Sequence, residues 1–493
     1  MEAEIYDRIA DIVGPKWVSD DPEILIGYAR DLGTYGRFGK ERRPECVVLP
    51  ATTHEVRNII YLARLKKVPV TVYGTGINVG GGTIPKAGGI IIDPRRMNKI
   101  LEIDEEHHTA TVQAGVSIAR LSTEVQKRGM FVVAPGAPAL ASVVSNYTQG
   151  NVNKASGRIG WQYNSIVSCE MVLPDGSVIR TGSASDTFIG KKFWPHGPGP
   201  DLWILPRYTL GTLGVVTELT VKCFPLDDEM KLFWMSFEDL EKAVKAYKEI
   251  LHREICTGSS LYVGNKYHYF GDTVESGERL CKIHPNVQLI LTLQGTKRRV
   301  EYEEKTVRMI ADKYGGRNIT DVLPFYQMYV DSHITMAASL YSEYTMRYFG
   351  SPGAGVVLFP TASIDKIVPA YKTFVKILLD DPYFRDPEGG SSELYTGLIT
   401  YPNGLGGHNC LLEPCTGGWA SDPVFGAALH RVLPKITKAW ADIGLAPDQK
   451  DGNPRPHELG LMNTYIDLIK KIKKRFDPDD YMHPGQIIPL LYK

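Results

Sequence analysis

The sequence predicts a mixed α+β fold built from more than one folding unit, and three observations carry that expectation. The chain has 493 residues, more than one hydrophobic core usually supports. Up to Pro225, short β-rich runs alternate with helix-period segments and glycine loops. From about Asp227 the texture changes to long amphipathic helices interleaved with strands, which suggests a second α+β unit.

Taken in order, residues 45–50 (ECVVLP) read as a short strand, and residues 53–67 carry apolar positions at helical spacing with Thr53 as N-cap. VPVTVYG is a second strand. The following GTGINVGGGTIP has too many glycines for a helix or a paired strand and reads as a tight loop. Residues 88–116 alternate β-rich runs with turns, and residues 117–129 form a helix ending at Gly129. SIVSCEMVLPDGSVIRTG is a hairpin turning at Asp175-Gly176, and LGTLGVVTELTVKCFP is a further β-rich run. In the second unit FEDLEKAVKAYKEILHR, RRVEYEEKTVRMIADKYG and SIDKIVPAYKTFVKILLD are helices, and VQLILTLQG and AGVVLFP are strands. The last helix, TYIDLIKKIKKRF, is basic and amphipathic, its Lys and Arg run read as a solvated face, and Asp-Pro stops it.

With 43% hydrophobic and 10% aromatic residues the composition is that of a globular protein. Lys plus Arg and Asp plus Glu both number 56, so no net field exists to hold nucleic acid or an anionic membrane. Small molecules or proteins are the expected partners. The seven cysteines lack CxxC spacing, which fits reduced thiols in the cytoplasm and argues against a metal cluster. No apolar run approaches about eighteen residues, and the N-terminus has no apolar signal core, so neither a membrane span nor a signal peptide is expected.

In the loop at residues 74–82, glycines let backbone N–H groups converge on phosphate oxygens without a formal charge. No Lys-Ser/Thr pair follows, which excludes a triphosphatase P-loop, and the GxGxxG spacing of a Rossmann helix is missing. Taken alone, the loop reads equally well as a phosphate cradle or as a structural turn.

The flanking segments resemble one family. VVLPATTHEVRNIIYLARLKKVPVTVYGTGINVGGG, the Ala-Gly-Val after TATVQ, PGAPALASVVSNYTQGN, MVLPDGSVIRTG, FWPHGPGPDLWILPRYTLGTLGVVTELTVKCFP and the closing RFDPDDYMHPGQ are similar, in order and spacing, to the vanillyl-alcohol oxidase and 4-cresol methylhydroxylase family of FAD flavoproteins. The resemblance implies a two-part FAD-binding domain of the 4-cresol methylhydroxylase (PCMH) type, residues 1–225 plus a C-terminal segment 456–493, with an α+β cap at 226–455. It implies FAD as cofactor, with the backbone of Thr75, Gly76, Ile77, Asn78, Val79, Gly80 and Gly81 around the pyrophosphate. Pro135, Gly136, Ser142, Asn146 and Gly150 would line the ribityl and flavin side, and Gly211, Gly214 and Val216 the adenosine side. These residues offer close approach or small hydrogen-bonding groups.

The sequence also departs from that pattern. Phenol-oxidising members hold a phenolate with a tyrosine in the glycine loop and a Tyr-Arg pair in the cap; here Val79 and GLAPDQKDGNPRPHELG stand instead, so a para-substituted phenol is not the expected substrate. In YPNGLGGHNCLLEPC, His408 is the candidate for covalent FAD attachment, though its spacing to Pro414 is one residue long and Asn409 competes; a hydrogen-bonding His408 beside noncovalent FAD is the other reading. Cys410 and Cys415 read as packed thiols. Tyr395, Tyr401 and Asp451, with Glu393 and His457, are candidates for proton handling, and a Tyr-rich helix carrying Tyr326, Tyr329, His333, Tyr341 and Tyr344 could wall a pocket or simply pack.

The functional expectation is hydride abstraction from an alcohol or activated C–H of a small, aromatic substrate onto flavin N5, with one protein base. Oxygen or an electron-carrier protein would reoxidise the flavin, and a homo-oligomer, a homodimer, is expected. Rival readings are a 2-hydroxyacid dehydrogenase of the lactate or glycolate type, whose substrate carboxylate would need an arginine, an ether-lipid synthase, and an electron-transfer subunit.

Overall fold

The computed structural model describes residues 1–29, 42–77, 81–133, 140–150, 155–186, 188, 190–197, 199–226, 229–264, 285–320, 353–385, 396–402, 407–419, 423–446 and 460–486. Among the described residues, helices combine with three large sheets and one two-stranded pair, Met130–Phe131 with Phe224–Pro225.

The first layer contains α1 (Ala3–Val13), β1 (Cys46–Val48), α2 (Thr53–Lys66), β2 (Val70–Val72) and β3 (Ile90–Ile92). Its sheet runs Val18–Ser19, β1, β3, β2, with β1 and β2 each parallel to β3. Every residue of β1 and β3 is buried, which is why these strands read as unbroken apolar runs rather than alternating ones. The cap of α2 is Thr52 rather than Thr53. Thr52 has extended backbone and accepts from the Glu55 N–H at 3.1 Å, while the Thr53 hydroxyl is drawn to Glu170 Oε1 at 2.6 Å and ties α2 to the next sheet.

That second sheet is antiparallel. It comprises β4 (Ile100–Asp104), β5 (Thr109–Gln113), β6 (Ile166–Val172), β7 (Val178–Arg180) and β8 (Val215–Lys222) in the order β4-β5-β8-β6-β7. The helices α3 (Ile118–Gln126) and α4 (Val143–Gln149) supply Leu121, Val125, Val143 and Tyr147 to its core. The β6–β7 hairpin turns at Asp175-Gly176, where Gly176 has φ +83°.

The third sheet has eight strands, led by β9 (Glu229–Phe237), β10 (Gly258–Gly264), β11 (Val287–Gly295), β12 (Gly353–Val357), β13 (Thr396–Pro402) and β14 (Asn409–Trp419). Between the short edge pair Arg317–Asn318 and β12, the order is β9-β11-β10-β13-β14. Period-two alternation divides its faces. Phe233, Met235, Leu261, Leu289, Leu291 and Leu412 join the core beneath α5 (Leu240–His252), α6 (Lys297–Tyr314), α7 (Ile367–Asp380) and α8 (Pro423–Asp442). Leu232, Trp234, Tyr262, Ile290, Tyr401 and Leu411 fall on the opposite face and pack with Trp161 from the N-terminal half.

After α9 (Asn463–Phe476) the chain returns to the first sheet: the Val70 N–H donates to the Tyr481 carbonyl and the His483 N–H to the Val70 carbonyl, both at 2.7 Å. The basic face of α9 is not wholly solvated, because Lys473 is buried. Its ammonium pairs with Asp477 at 2.5 Å and donates to the carbonyls of Thr212 at 3.0 Å and Met482 at 2.6 Å. Asp477, at i+4, Asp480 and Met482 follow directly on the helix, whereas the Thr212 carbonyl comes from 261 positions away, so the burial of Lys473 is not marked along α9 itself.

No helix among the described residues is long and apolar enough to cross a membrane. Among them, too, no group of three or more His, Cys, Asp or Glu is placed to hold a metal ion.

Candidate functional site

A cleft opens where the first two sheets meet the C-terminal return. Four segments line it: residues 72–77 with 82–83 after β2, residues 144–149 of α4, residues 206–216 leading into β8, and His483. No Asp, Glu, Lys or Arg is among the described lining residues, so what these residues offer an anion is neutral donors.

The glycines shape it. Gly74, Gly76 and Gly81 have φ of +64°, +71° and +73°, a left-handed conformation that side chains disfavour. A Cβ on Gly74 would stand 2.6 Å from Ser145 Oγ. On the opposite wall, Gly211 has φ +76°, and a Cβ there would lie 3.0 Å from His483 Nε2. Small polar groups fix the walls: the Ser142 N–H donates to Thr75 Oγ1 at 3.2 Å, and Ser142 Oγ donates to the Ala114 carbonyl at 2.8 Å. Asn146 Nδ2 donates to the Ser142 carbonyl at 2.8 Å.

Of the residues expected to hold FAD, Thr75, Gly76, Ile77, Asn146, Gly211, Gly214 and Val216 line this one cleft. Ser142 stands behind it as the cap of α4, accepting from the Ser145 N–H at 3.3 Å. Gly81 carries its carbonyl outward to Gln486 Nε2 at 3.0 Å. Gly150 ends α4 against the rings of Trp161 and Tyr163. Asn78, Val79, Gly80, Pro135 and Gly136 lie outside the described residues.

The catalytic candidates are elsewhere. Tyr401 is buried on the face of the third sheet that meets Trp161. His408 is exposed, just before β14, and is not among the residues lining the cleft. Cys410 is a packed thiol, its acidity suppressed by burial. The side chain of Cys415 and the structure around Tyr395, Asp451, Glu393, His457, Tyr326, Tyr329, His333, Tyr341 and Tyr344 lie outside the described residues.

Sequence reasoning missed four residues. His483 lines the cleft and its Nε2 accepts from the Val72 N–H, so the proton sits on Nδ1. Burial, then the charge of Lys473, lowers its pKa to about 3. Gln486 Nε2 reaches the carbonyls of Gly81, Gly82 and Ile84 at 3.0, 3.3 and 3.3 Å and pins the glycine loop. Thr83 lines the cleft with a buried hydroxyl that has no hydrogen-bond partner among the described residues. Glu413 is a buried carboxylate whose register through Ile399, Tyr262 and Gln288 puts it in one row with them across the third sheet. His483 and Gln486 stand in the quoted RFDPDDYMHPGQ, Thr83 in GTGINVGGGTIP and Glu413 in YPNGLGGHNCLLEPC, but residue type and spacing alone do not single them out.

These features fit FAD. Backbone N–H groups free of Cβ atoms can approach a pyrophosphate, Thr83 Oγ1 awaits an acceptor or donor, and a wall of Val72, Leu210 and Met171 suits an apolar ring.

Comparison with known proteins agrees. The FAD binding domain family matches residues 44–182. The chain is 30% identical over 257 residues to glycolate oxidase subunit GlcD of Bacillus subtilis, covering 51% of each, so the match spans about half the length of that relative. To GlcD of Escherichia coli K12 it is 28% identical over 497 residues, 98% of this chain and 90% of that one. In fold it is similar to 4-ethylphenol oxidase from Gulosibacter chungangensis, with TM-score 0.80, 18% identity and coverage of 99% and 97%. For p-cresol methylhydroxylase with substrate bound the values are 0.78, 18%, 99% and 97%. The cleft, the matching domain and this architecture agree: residues 44–182 carry an FAD binding domain, and the chain has the fold of 4-ethylphenol oxidase and p-cresol methylhydroxylase.

Proposed function

We propose that this flavoenzyme oxidises an alcohol or activated C–H carbon on a small aromatic substrate. The observation that supports the reading is the buried aromatic cluster where the third sheet meets the N-terminal half: Trp234, Tyr262 and Tyr401 with Trp161, and Tyr163 packed beside them. A substrate ring at the margin of such a cluster would be held by area and edge-to-face contact, with water excluded from the reacting carbon. When bound, FAD supplies the acceptor for the hydride leaving that carbon, while the alcohol proton passes to a protein base and a carbonyl remains. Tyr401 and Glu413 are the described side chains on this face able to hold that proton. Residues 1–225 with 456–493 act as the FAD domain and 226–455 as the cap. Reoxidation by oxygen or a carrier protein, a homodimeric cytoplasmic form, and FAD linkage through His408 belong to the same proposal.

The likeness to glycolate oxidase subunits over nearly the whole chain favours a second reading, a 2-hydroxyacid substrate. Anaerobic mixing of the holoprotein with aryl alcohols, aliphatic alcohols and 2-hydroxyacids tests both. Bleaching of the flavin absorption by aryl-bearing substrates is expected; bleaching by none of them rejects the aromatic reading.

A further inference from the structure

The segment that leads from β7 to the FAD cleft, residues 182–206, is tied down by its polar groups and leaves its apolar groups outside. Lys191 donates to Asp104 at 2.9 Å and to Glu102 at 3.2 Å, both on β4, and Lys192 pairs with Glu218 of β8 at 3.6 Å. The Ser183 hydroxyl accepts the N–H groups of Phe193 at 2.9 Å and Trp194 at 3.3 Å, and the Ser183 N–H donates to the Trp194 carbonyl at 2.9 Å. Gly182 turns the chain at φ +59°, where a Cβ would stand 2.5 Å from the Val167 carbonyl oxygen and 2.6 Å from that of Trp194. A backbone held in this way cannot fold its large side chains inward. Phe188, Phe193, Trp194, Leu202 and Ile204 are all exposed, Phe188 at 95%, and Leu101, next to Glu102, is exposed as well. Single exposed apolar residues are ordinary, but five within one short segment mark a surface suited to being covered. That surface is neutral. Asp186 and Asp201 balance Lys191 and Lys192 in number. Asp186 accepts the Phe188 N–H at 2.8 Å, and Asp201 faces His196 at 3.4 Å.

We propose that residues 188–204 form the face through which two copies of this chain associate about a two-fold axis. This rests on the homodimeric form proposed above and names its surface. A two-fold interface sets the same patch of each copy against itself, so the patch must be compatible with itself. A neutral apolar patch meets that condition, and a row of like charges does not. Tyr465 and Leu468 are also exposed, but they stand on α9 among Lys471, Lys474 and Arg475, which a second copy of the same helix would repel. The area fits as well. The five side chains leave on the order of 500 Å² uncovered on each copy. With backbone and a polar rim, two copies reach the roughly 1,200–2,000 Å² that a specific interface buries.

Sedimentation of the FAD-loaded protein over a dilution series reads the dimer dissociation constant, once flavin content and melting temperature have been checked. Phe188→Asp and Leu202→Asp should each raise that constant on the order of 100-fold, because each sets a charge against an apolar partner. Both side chains are exposed, so fold and flavin content should hold; if Leu202→Asp loses either, Phe188→Asp and Phe188→Ser carry the test. Tyr302→Asp and Met309→Asp, at exposed positions of α6, should leave the constant unchanged. Added salt should not loosen the unaltered dimer, since its contact is neutral. Amide hydrogens of residues 188–204 should exchange slowly above the dissociation constant and fast below it. A dimer that the segment variants do not weaken, or that salt or the α6 variants dissociate equally, overturns this face while the homodimer stands. A protein that sediments as a monomer throughout overturns both. Monomers whose residues 188–204 gain protection only on phosphatidylcholine vesicles would assign the face to a lipid surface and also overturn the proposal.

Discussion

His483 is a histidine that must stay neutral. Its Nε2 accepts the Val72 N–H, and burial beside Lys473 lowers its pKa to about 3 from 6.5, with Asp477 and Asp480 answering the lysine. Because the folded value lies below the unfolded one, the unfolded chain binds the extra proton first. The stabilising effect is therefore complete above pH 6.5, falls as pH drops, and is fully lost only near 3. The expected slope is about 1.4 kcal/mol per pH unit below 6.5. Denaturant melts at pH 7 and pH 5 should show this loss in the unaltered protein and not in His483→Gln, a window above the range in which ordinary carboxylates titrate. Equal acid sensitivity in both would assign the effect to other groups. Across the cleft, Gly211→Val forces a β-branched side chain onto φ +76° and within 3.0 Å of that imidazole. The purified variant should keep its fold but lose most of its flavin absorbance; full occupancy would separate this wall from cofactor binding. The glycine walls were legible in the sequence because their conformational role is local. His483 was not, since its partner Val72 is 411 positions away and only the fold brings the two together.

The same contrast appears at the scale of elements. Strands β1 and β3 were readable as continuous apolar runs, β11 from its β-rich composition, and the β6–β7 hairpin from Asp175-Gly176, because burial and turn chemistry leave direct marks in sequence. Helix α9 was readable as a helix with a solvated basic face, and Lys473 is the one member of that run that departs from it. Lys473 looks like its neighbours Lys470 and Lys474, and only the carbonyl of Thr212, 261 positions earlier, with Asp477 and Asp480 makes it a buried hub. Removing that cation leaves buried aspartates without a counter-charge, so Lys473→Met should destabilise the protein by about 3–5 kcal/mol. It should also loosen the Tyr481–Gln486 turn that pins the glycine loop, releasing FAD at lower denaturant than unfolds the third sheet. Adding Asp477→Asn should recover part of the loss. Chemical denaturation followed by flavin fluorescence and far-UV dichroism together reads both effects, and coincident, unshifted transitions in the single variant would show that α9 is not the latch.

At the scale of the molecule, the buried aromatic cluster is made by two halves of the chain. Trp161 and Arg158 stand on a turn of the N-terminal half, while Trp234, Tyr262 and Tyr401 come from the third sheet. No window of sequence contains both sides, which is why the catalytic candidates were scattered while the FAD cleft was readable. Arg158 holds the seam. Its Nη1 donates to Thr257 Oγ1 and to the Gln294 carbonyl at 3.0 Å, at the edge of that sheet. Gly157 beside it lets the backbone come within van der Waals reach of Leu251 and Pro402, where a Cβ would sit 3.2 and 3.4 Å from their side chains. Hydrogen bonds to a charged donor contribute about 1.5–3 kcal/mol, so Arg158→Met should weaken docking of the third sheet by that amount while leaving the cleft residues untouched. Calorimetry should then separate a lower transition, in which the sheet undocks and Trp161 fluorescence shifts to the red, from a higher one in which flavin is released. Flavin content at 25 °C should stay at the unaltered level, whereas substrate-induced flavin reduction should slow, because the ring of the substrate is held across the seam. A single transition at the original temperature together with unchanged reduction kinetics would mean that the two halves are held by the aromatic packing alone.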